Sequence, residues 1–182
     1  MGVTTFAAID VGSYNVCMDI YEISPRNGIR CINEVRSRLE IGRETYGEGK
    51  ITFATAKELC RILKDFTEIM KEYQAEAYRA CATSTLQEAK NVWIVMEQVY
   101  QKTGIRVEIL SNSEQRFYGY KSVAAKEASF AKMIQKGTAV MEVGGGNVQI
   151  SLFDKDTLVT TQSLKMGSMR IRERLKELEK AN

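Results

Sequence analysis

Two short segments carry the residues best suited to chemistry, Asp10-Val11-Gly12-Ser13 and Glu142-Val143-Gly144-Gly145. Each sets a carboxylate two residues before a glycine, at the end of an apolar run. Backbone N–H groups exposed in such turns form concavities that hold anions. Gly144-Gly145-Gly146 also permits positive φ and a close backbone approach to a phosphate. Taken singly, each turn is ordinary hairpin punctuation, and Asp10 and Glu142 are solvated strand-end acids. Taken together, with hydroxyl or amide residues in both turns, they point to one cleft that grips a phosphate chain from two sides.

The sequence contains no histidine. A Ser-His-Asp triad, a Cys-His dyad and a histidine metal site are therefore excluded. Acid–base chemistry near neutral pH falls to carboxylates, a perturbed Lys or Cys, or metal-bound water. The four cysteines, Cys17, Cys31, Cys60 and Cys81, form no C-x-x-C pair. That spacing argues against zinc and against a disulfide framework.

With 182 residues, 44% hydrophobic and 27% charged, the composition is that of a soluble globular chain. No apolar run approaches the ~18–20 residues of a membrane span. Met1 to Gly12 lacks a basic leader and a cleavage site, and Phe6 breaks the myristoylation pattern. The expectation is a cytoplasmic protein with no membrane partner. A net charge of +3 is too weak to argue nucleic-acid binding.

The elements that would position the two turns follow from hydrophobic periodicity. Phe6 to Val11, Val16 to Ile23 and Ile29 to Ile41 read as a three-strand meander, followed by a glycine-punctuated loop from Gly42 to Gly49. Leu59, Ile62, Leu63, Phe66, Ile69 and Met70 recur at helical spacing, with Thr52 as N-cap. Ala77 to Ala82 reads as a strand. Ser84 to Thr103 reads as a helix broken near Asn91 and stopped by Gly104. Ile105 to Leu110 is a strand, and Ser111 caps a helix to about Ala125 with a short helical stretch beyond. From Gly137 a second meander begins, with strands Thr138 to Val143, Val148 to Phe153 and Leu158 to Leu164. A helix from Ser168 then turns Ile171, Leu175 and Leu178 inward. The pattern is an internal repeat of elements, with the two acid–glycine turns at the same place in each copy. It sets a boundary near 126–136, with residues 1–126 a complete α/β unit and 127–182 part of another.

With these segments in view, the chain resembles the exopolyphosphatase/guanosine-pentaphosphatase (Ppx/GppA) family. Asp10-Val11-Gly12-Ser13-Tyr14-Asn15 resembles its first phosphate motif. Ala82-Thr83-Ser84-Thr85-Leu86-Gln87-Glu88-Ala89-Lys90-Asn91 resembles A-T-S/N-x-x-R-E-A-x-N. Leu110-Ser111-Asn112-Ser113-Glu114 resembles the I-S-G-x-E segment, and Glu142 to Gln149 resembles D-I-G-G-G-S-x-E. Ser163 to Arg174, with Gly167 and Arg170, follows the family too.

The resemblance implies an α/β, actin-like ATPase (ribonuclease H-like) fold, with the first lobe complete and the second partial. It implies release of terminal phosphate from inorganic polyphosphate or guanosine pentaphosphate, usually with Mg²⁺. Glu114 would be the base that activates water, in the first turn of a helix whose dipole favours an ionised carboxylate. Outside the resemblance, Glu114 reads as a capping acid. Glu142 would share in catalysis. Asp10, Gly12, Ser13, Asn15, Thr83, Ser84, Gln87, Gly144, Gly145, Gly146 and Asn147 would hold phosphate. Mg²⁺ would sit near Glu142, Gln149 and Asp10. A homodimer is allowed.

Six positions depart from the family pattern. Gln87 stands for Arg, Glu142 for Asp, Gln149 for Glu, Asn147 for Ser, Asn112 for Gly, and Gln115 for an acid. An Arg–phosphate contact is worth ~1.5–3 kcal/mol, or roughly 10- to 150-fold. These exchanges keep open a second reading, a polyphosphate- or alarmone-binding regulatory module. A third, a kinase or ATPase of the same superfold, lacks any adenosine-binding segment here.

Overall fold

The computed structural model describes residues 2–127 and 129–181; Met1, Asn182 and Ala128, which lies in the expected boundary region, fall outside them. The chain divides into two compact units between Ile109 and Leu110.

The first unit is built on a five-stranded sheet. Strands β1 (Thr4–Val11), β2 (Asn15–Ser24) and β3 (Gly28–Arg38) form the expected meander, and β4 (Ala77–Ala82) and β5 (Val107–Ile109) join it. The order is β3-β2-β1-β4-β5, with β4 parallel to β1. Alternation decides which face is buried. Ala7, Ile9 and Val11 of β1, Val16, Met18 and Ile20 of β2, and Ala80 and Ala82 of β4 all lie in the core. Helices α2 (Phe53–Glu72) and α4 (Val92–Thr103) cover that face with Leu59, Ile62, Leu63, Phe66, Val95 and Val99. Each large apolar side chain so buried contributes about 1.5–3 kcal/mol. Thr52 caps α2 as expected, its side chain accepting from the Thr55 N–H at 3.3 Å.

Two local expectations need correction. β3 ends at Arg38, and 42–49 is not a loop; helix α1 spans Ile41–Glu48. Glycines lower helix propensity there, but Ile41, Gly42 and Thr45 are buried, and tertiary contacts override propensity. Gly49, at φ 74°, ends α1 by donating its N–H to the Thr45 carbonyl. The break expected near Asn91 is present, and the helical stretch from Ser84 is two pieces, α3 (Ser84–Glu88) and α4. The break at Asn91 has a cause: its side-chain amide pairs with both the N–H and the C=O of Ile51, at 2.9 and 2.8 Å.

The second unit holds α5 (Asn112–Lys126), α6 (Phe130–Met133), strands β6 (Thr138–Val143), β7 (Val148–Asp154) and β8 (Thr157–Leu164), and α7 (Ser168–Ala181). The strands form an antiparallel sheet in the order β6-β7-β8. Helix α5 groups with this unit, although the repeat of elements assigned it to the first. It is tied to the sheet through Tyr120, whose hydroxyl bonds Ser151 and whose ring meets Phe153 edge-on at 5.2 Å. The inward orientation expected for Ile171, Leu175 and Leu178 is not observed. They are 42%, 54% and 54% exposed.

Candidate functional site

Both acid–glycine turns place four residues between a pair of facing valines. In the first, Val11 pairs with Val16 and the Gly12 N–H donates to the Asn15 carbonyl at 2.9 Å. In the second, Val143 pairs with Val148 and the Gly144 N–H donates to the Asn147 carbonyl, also at 2.9 Å. The repeat seen in the sequence is therefore a repeat of hydrogen bonds.

None of Gly12, Gly144, Gly145 and Gly146 has a positive φ, so conformational freedom is not why glycine is needed. The requirement for space falls on Gly167, which packs against the second turn. The N-terminus of α7 lies directly on Gly144-Gly145-Gly146. A Cβ on Gly167 would come within 2.3 Å of the Gly146 carbonyl carbon. N–H groups of Gly167, Ser168, Met169 and Arg170 donate at 3.0–3.1 Å to the carbonyls of Gly146, Gly144, Gly145 and Gly145 respectively. Arg170 adds a side-chain bond from Nε to the Gly146 carbonyl at 2.9 Å.

This docking orients the other side of the loop. In a planar trans peptide the C=O and N–H point in opposite directions. With the carbonyls of 144, 145 and 146 turned to α7, the N–H groups of Gly145, Gly146 and Asn147 face away from it. Among the described residues no backbone carbonyl accepts from them. Successive N–H groups presented on one side suit an anion. The first turn uses the same device, with the Gly42 N–H donating to the Ser13 carbonyl at 3.1 Å and the Leu39 N–H to the Tyr14 carbonyl at 3.0 Å.

Around the first turn, Ser13 and Ser84 belong to one part-buried hydroxyl cluster with Tyr46 and Thr85, two residues the sequence does not single out. Ser13 Oγ bonds Thr85 Oγ1 and lies 3.2 Å from the Tyr46 hydroxyl. Tyr46 also reaches Thr85 at 2.8 Å and Ser84 at 3.3 Å. Thr85 is legible in the sequence only as a neighbour of Ser84, and the glycines that flank Tyr46 suggest a loop and hide it. Thr83 precedes α3 without a side-chain cap bond, and Asn15 and Gln87 are exposed.

Asp10 is exposed at the end of β1, in register with Cys17 on β2 and Cys81 on β4. Burial pushes the Cys17 thiol above its usual range, and the Asp10 carboxylate pushes it further. Burial likewise raises Cys81.

In the second unit Glu142 reaches across to α5. Its Oε1 lies 3.4 Å from Gln115 Nε2, and its Oε2 lies 3.0 Å from where a Cβ on Gly119 would stand. Gln149 is the cross-strand partner of Glu142, 3% exposed, with neither amide atom hydrogen-bonded. Asn112 Oδ1, Gln115 Oε1 and Asn147 Oδ1 are also buried without partners. Buried amides without partners carry a cost that a ligand or water relieves. No group of three acids, cysteines or histidines fit to hold a metal occurs among the described residues. One carboxylate beside a buried amide oxygen suits Mg²⁺ only as an ion that keeps several waters and shares the phosphates it accompanies.

Glu114 sits in the first turn of α5, as expected, and it caps. Its Oε2 accepts from the Ser111 N–H and hydroxyl, both at 2.8 Å, and Ser111 Oγ accepts the Glu114 N–H at 3.3 Å. The capping reading is thus realised, and the carboxylate's position is fixed by it.

A family profile described as the Ppx/GppA phosphatase family matches residues 19–178. The bifunctional 3-dehydroquinate synthase/phosphatase of Fusobacterium nucleatum is 26% identical over 92% of this chain and 26% of its own length. The guanosine-5'-triphosphate,3'-diphosphate pyrophosphatase of Pseudoalteromonas atlantica is 23% identical over 93% of this chain and 32% of its own. Exopolyphosphatase 1 of Mycobacterium tuberculosis is 23% identical over 90% and 46%. The chain thus spans less than half the length of these relatives. Among solved structures, the Aquifex aeolicus PPX-GPPA enzyme aligns with a TM-score of 0.78 at 22% identity, over 98% of this chain and 60% of that one. An exopolyphosphatase from Cytophaga hutchinsonii aligns with a TM-score of 0.78 at 20% identity, over 94% and 53%. The fold is the actin-like ATPase fold. No helix among the described residues is long and apolar enough to cross a membrane. With its four motifs in order and the profile covering residues 19–178, the chain belongs to the Ppx/GppA phosphatase family.

Proposed function

We propose that this chain carries the phosphate-holding portion of a phosphoanhydride hydrolase that releases terminal phosphate from inorganic polyphosphate or guanosine pentaphosphate. The observation that carries the reading is the row of N–H groups on Gly145, Gly146 and Asn147, turned to one side by the docking of α7. In phosphoryl transfer the protein mainly positions groups and stabilises charge, so a site built of backbone donors and hydroxyls is sufficient machinery. Gly12, Ser13, Asn15, Thr83, Ser84 and Gln87 take phosphate oxygens at the first turn, and Gly144 to Asn147 take them at the second. Glu114, anchored by Ser111, accepts the proton of the attacking water. Asp10, Glu142 and Gln149 would hold Mg²⁺, which supplies neutralisation of phosphate charge when bound.

The test is Mg²⁺-dependent phosphate release from long-chain polyphosphate and from guanosine pentaphosphate, with Glu114→Gln as control. Release that Glu114→Gln abolishes while tripolyphosphate binding persists supports the reading. Release that survives the substitution refutes Glu114 as base.

A regulatory binding module is favoured by one observation: the unpartnered buried side-chain atoms described in the second unit belong to neutral amides, Asn112, Gln115, Asn147 and Gln149, not to acids. Tight polyphosphate binding with no release under any divalent ion would select this second reading.

A further inference from the structure

The loop Gly144-Gly145-Gly146 has no side chains with which to hold its own shape. Its conformation is held by the Gly144 N–H bond to the Asn147 carbonyl and, from outside the turn, by contacts from Gly167 and the first turn of α7. Gly167, Ser168 and Met169 each donate one backbone N–H to the loop, Gly167 to the Gly146 carbonyl. The exception in kind is Arg170. Its own N–H bonds the Gly145 carbonyl at 3.1 Å, and its Nε–H bonds the next carbonyl, Gly146, at 2.9 Å. One residue therefore grips two consecutive peptide units of the loop. The Gly146 carbonyl belongs to the same planar unit as the Asn147 N–H. Fixing the first fixes the direction of the second.

We infer that Arg170 is a positioning residue that sets the anion-facing direction of the Gly146–Asn147 peptide, acting through the Gly146 carbonyl and not as a charge on the ligand. The inference deepens the proposed function and rests on it for the anion. The geometry is specific to arginine. Nε–H is directed from the planar guanidinium, whereas a lysine ammonium ends a longer stem and points nowhere in particular. Positive charge alone would be kept by Arg170→Lys, but the directed bond would not.

The experiment uses the full chain, labelled with ¹⁵N, as wild type, Arg170→Ala and Arg170→Lys. The amide resonances of Gly145, Gly146 and Asn147 are recorded without ligand and during titration with inorganic tripolyphosphate. Circular dichroism and thermal melting establish that each variant is folded. Both variants are expected to shift the Gly146 and Asn147 amides in the free protein and to weaken tripolyphosphate similarly, by roughly 10- to 150-fold, the range for a charge-assisted hydrogen bond. Restoration by Arg170→Lys to within about threefold of wild type would overturn the inference, since charge alone would then suffice. Free-state amides at 145–147 unchanged in both variants would also overturn it. A wild-type chain that binds no tripolyphosphate, yet shows the free-state shifts in both variants, sinks the phosphate reading and leaves Arg170 as the residue that orients the loop.

Discussion

Substituting Gly167 by alanine places a methyl group where backbone already stands. The added Cβ would lie 2.3 Å from the Gly146 carbonyl carbon and 2.4 Å from the Gly145 carbonyl carbon and oxygen. Ordinary contact at such a site begins near 3.4 Å, so about 1 Å of separation has to be found. None of the opposing atoms is the end of a flexible side chain, so α7 itself must retreat. A retreat of ~1 Å takes donor–acceptor distances of 3.0–3.1 Å past the limit of a hydrogen bond. Four backbone bonds from residues 167–170 are at stake, each worth a net ~0.5–1.5 kcal/mol. Their complete loss would cost about 2–6 kcal/mol, and partial relaxation brings the expectation to about 2–4 kcal/mol. For a unit of this size, each kcal/mol lowers Tm by about 4–8 °C. Calorimetry should show the second unit melting at least ~8 °C lower. Amide exchange should show Ser168, Met169 and Arg170 losing protection. A variant that melts within ~2 °C of wild type with those amides still protected would refute the steric argument.

Three further outcomes are expected of other contacts in the two units. Tyr46→Phe removes a hydroxyl that meets Ser13, Ser84 and Thr85. It should destabilise the first unit by about 1–3 kcal/mol in urea denaturation, and a change below ~0.3 kcal/mol would deny Tyr46 its place as hub. The thiol of Cys17 is raised by burial and then by Asp10, so it should react with a disulfide reagent more slowly at pH 8 than exposed Cys31. Asp10→Asn should speed Cys17 and shift its rate–pH profile to lower pH; an unmoved profile would sever that coupling. Because the folded thiol holds its proton to higher pH than the unfolded one, its stabilising contribution is complete below the ordinary thiol pKa and declines as pH rises through the raised value. Gly119→Ala should leave melting unchanged or slightly higher, since alanine favours a helix by ~1 kcal/mol over glycine. The same methyl meets Glu142 Oε2 at 3.0 Å, so tripolyphosphate affinity or phosphate release should fall; unchanged values for both would detach this contact from function.

Much of the fold was legible because strand alternation and helix spacing are local. The meander, the amphipathic α2 and the Thr52 and Gly104 ends need only a few neighbouring residues to declare themselves. What escaped depends on partners distant in sequence. Segment 41–48 is a helix because Ile41 and Thr45 are buried and Ser13 accepts the Gly42 N–H, none of which its glycines reveal. Ile171, Leu175 and Leu178 have the right spacing to be buried, but spacing says only that one face is apolar, not that anything covers it. In the site, the identities of Ser13, Ser84 and Gly144–Asn147 could be read from their motifs. The reason for the glycines could not. The sequence suggests positive φ at 144–146, whereas the structure has none there, and the glycine that close packing demands is Gly167.

Glu114 shows why one carboxylate could be read in two ways without contradiction. A capping acid must sit at a helix start, a catalytic base gains there from a dipole that favours its ionised form, and Ser111 secures the carboxylate through two hydrogen bonds at 2.8 Å. The two roles separate by substitution. Glu114→Ala removes both, and loss of the cap should cost about 0.5–2 kcal/mol. Glu114→Gln keeps an oxygen able to accept from Ser111, since glutamine serves at this position of a capping box, but it cannot take a proton from water. The two variants should therefore differ by about 1 kcal/mol in urea unfolding while being equally inactive. Equal stability would show that the cap contributes nothing measurable. Retained phosphate release in Glu114→Gln, with the helix intact, would leave the carboxylate with structure as its only work.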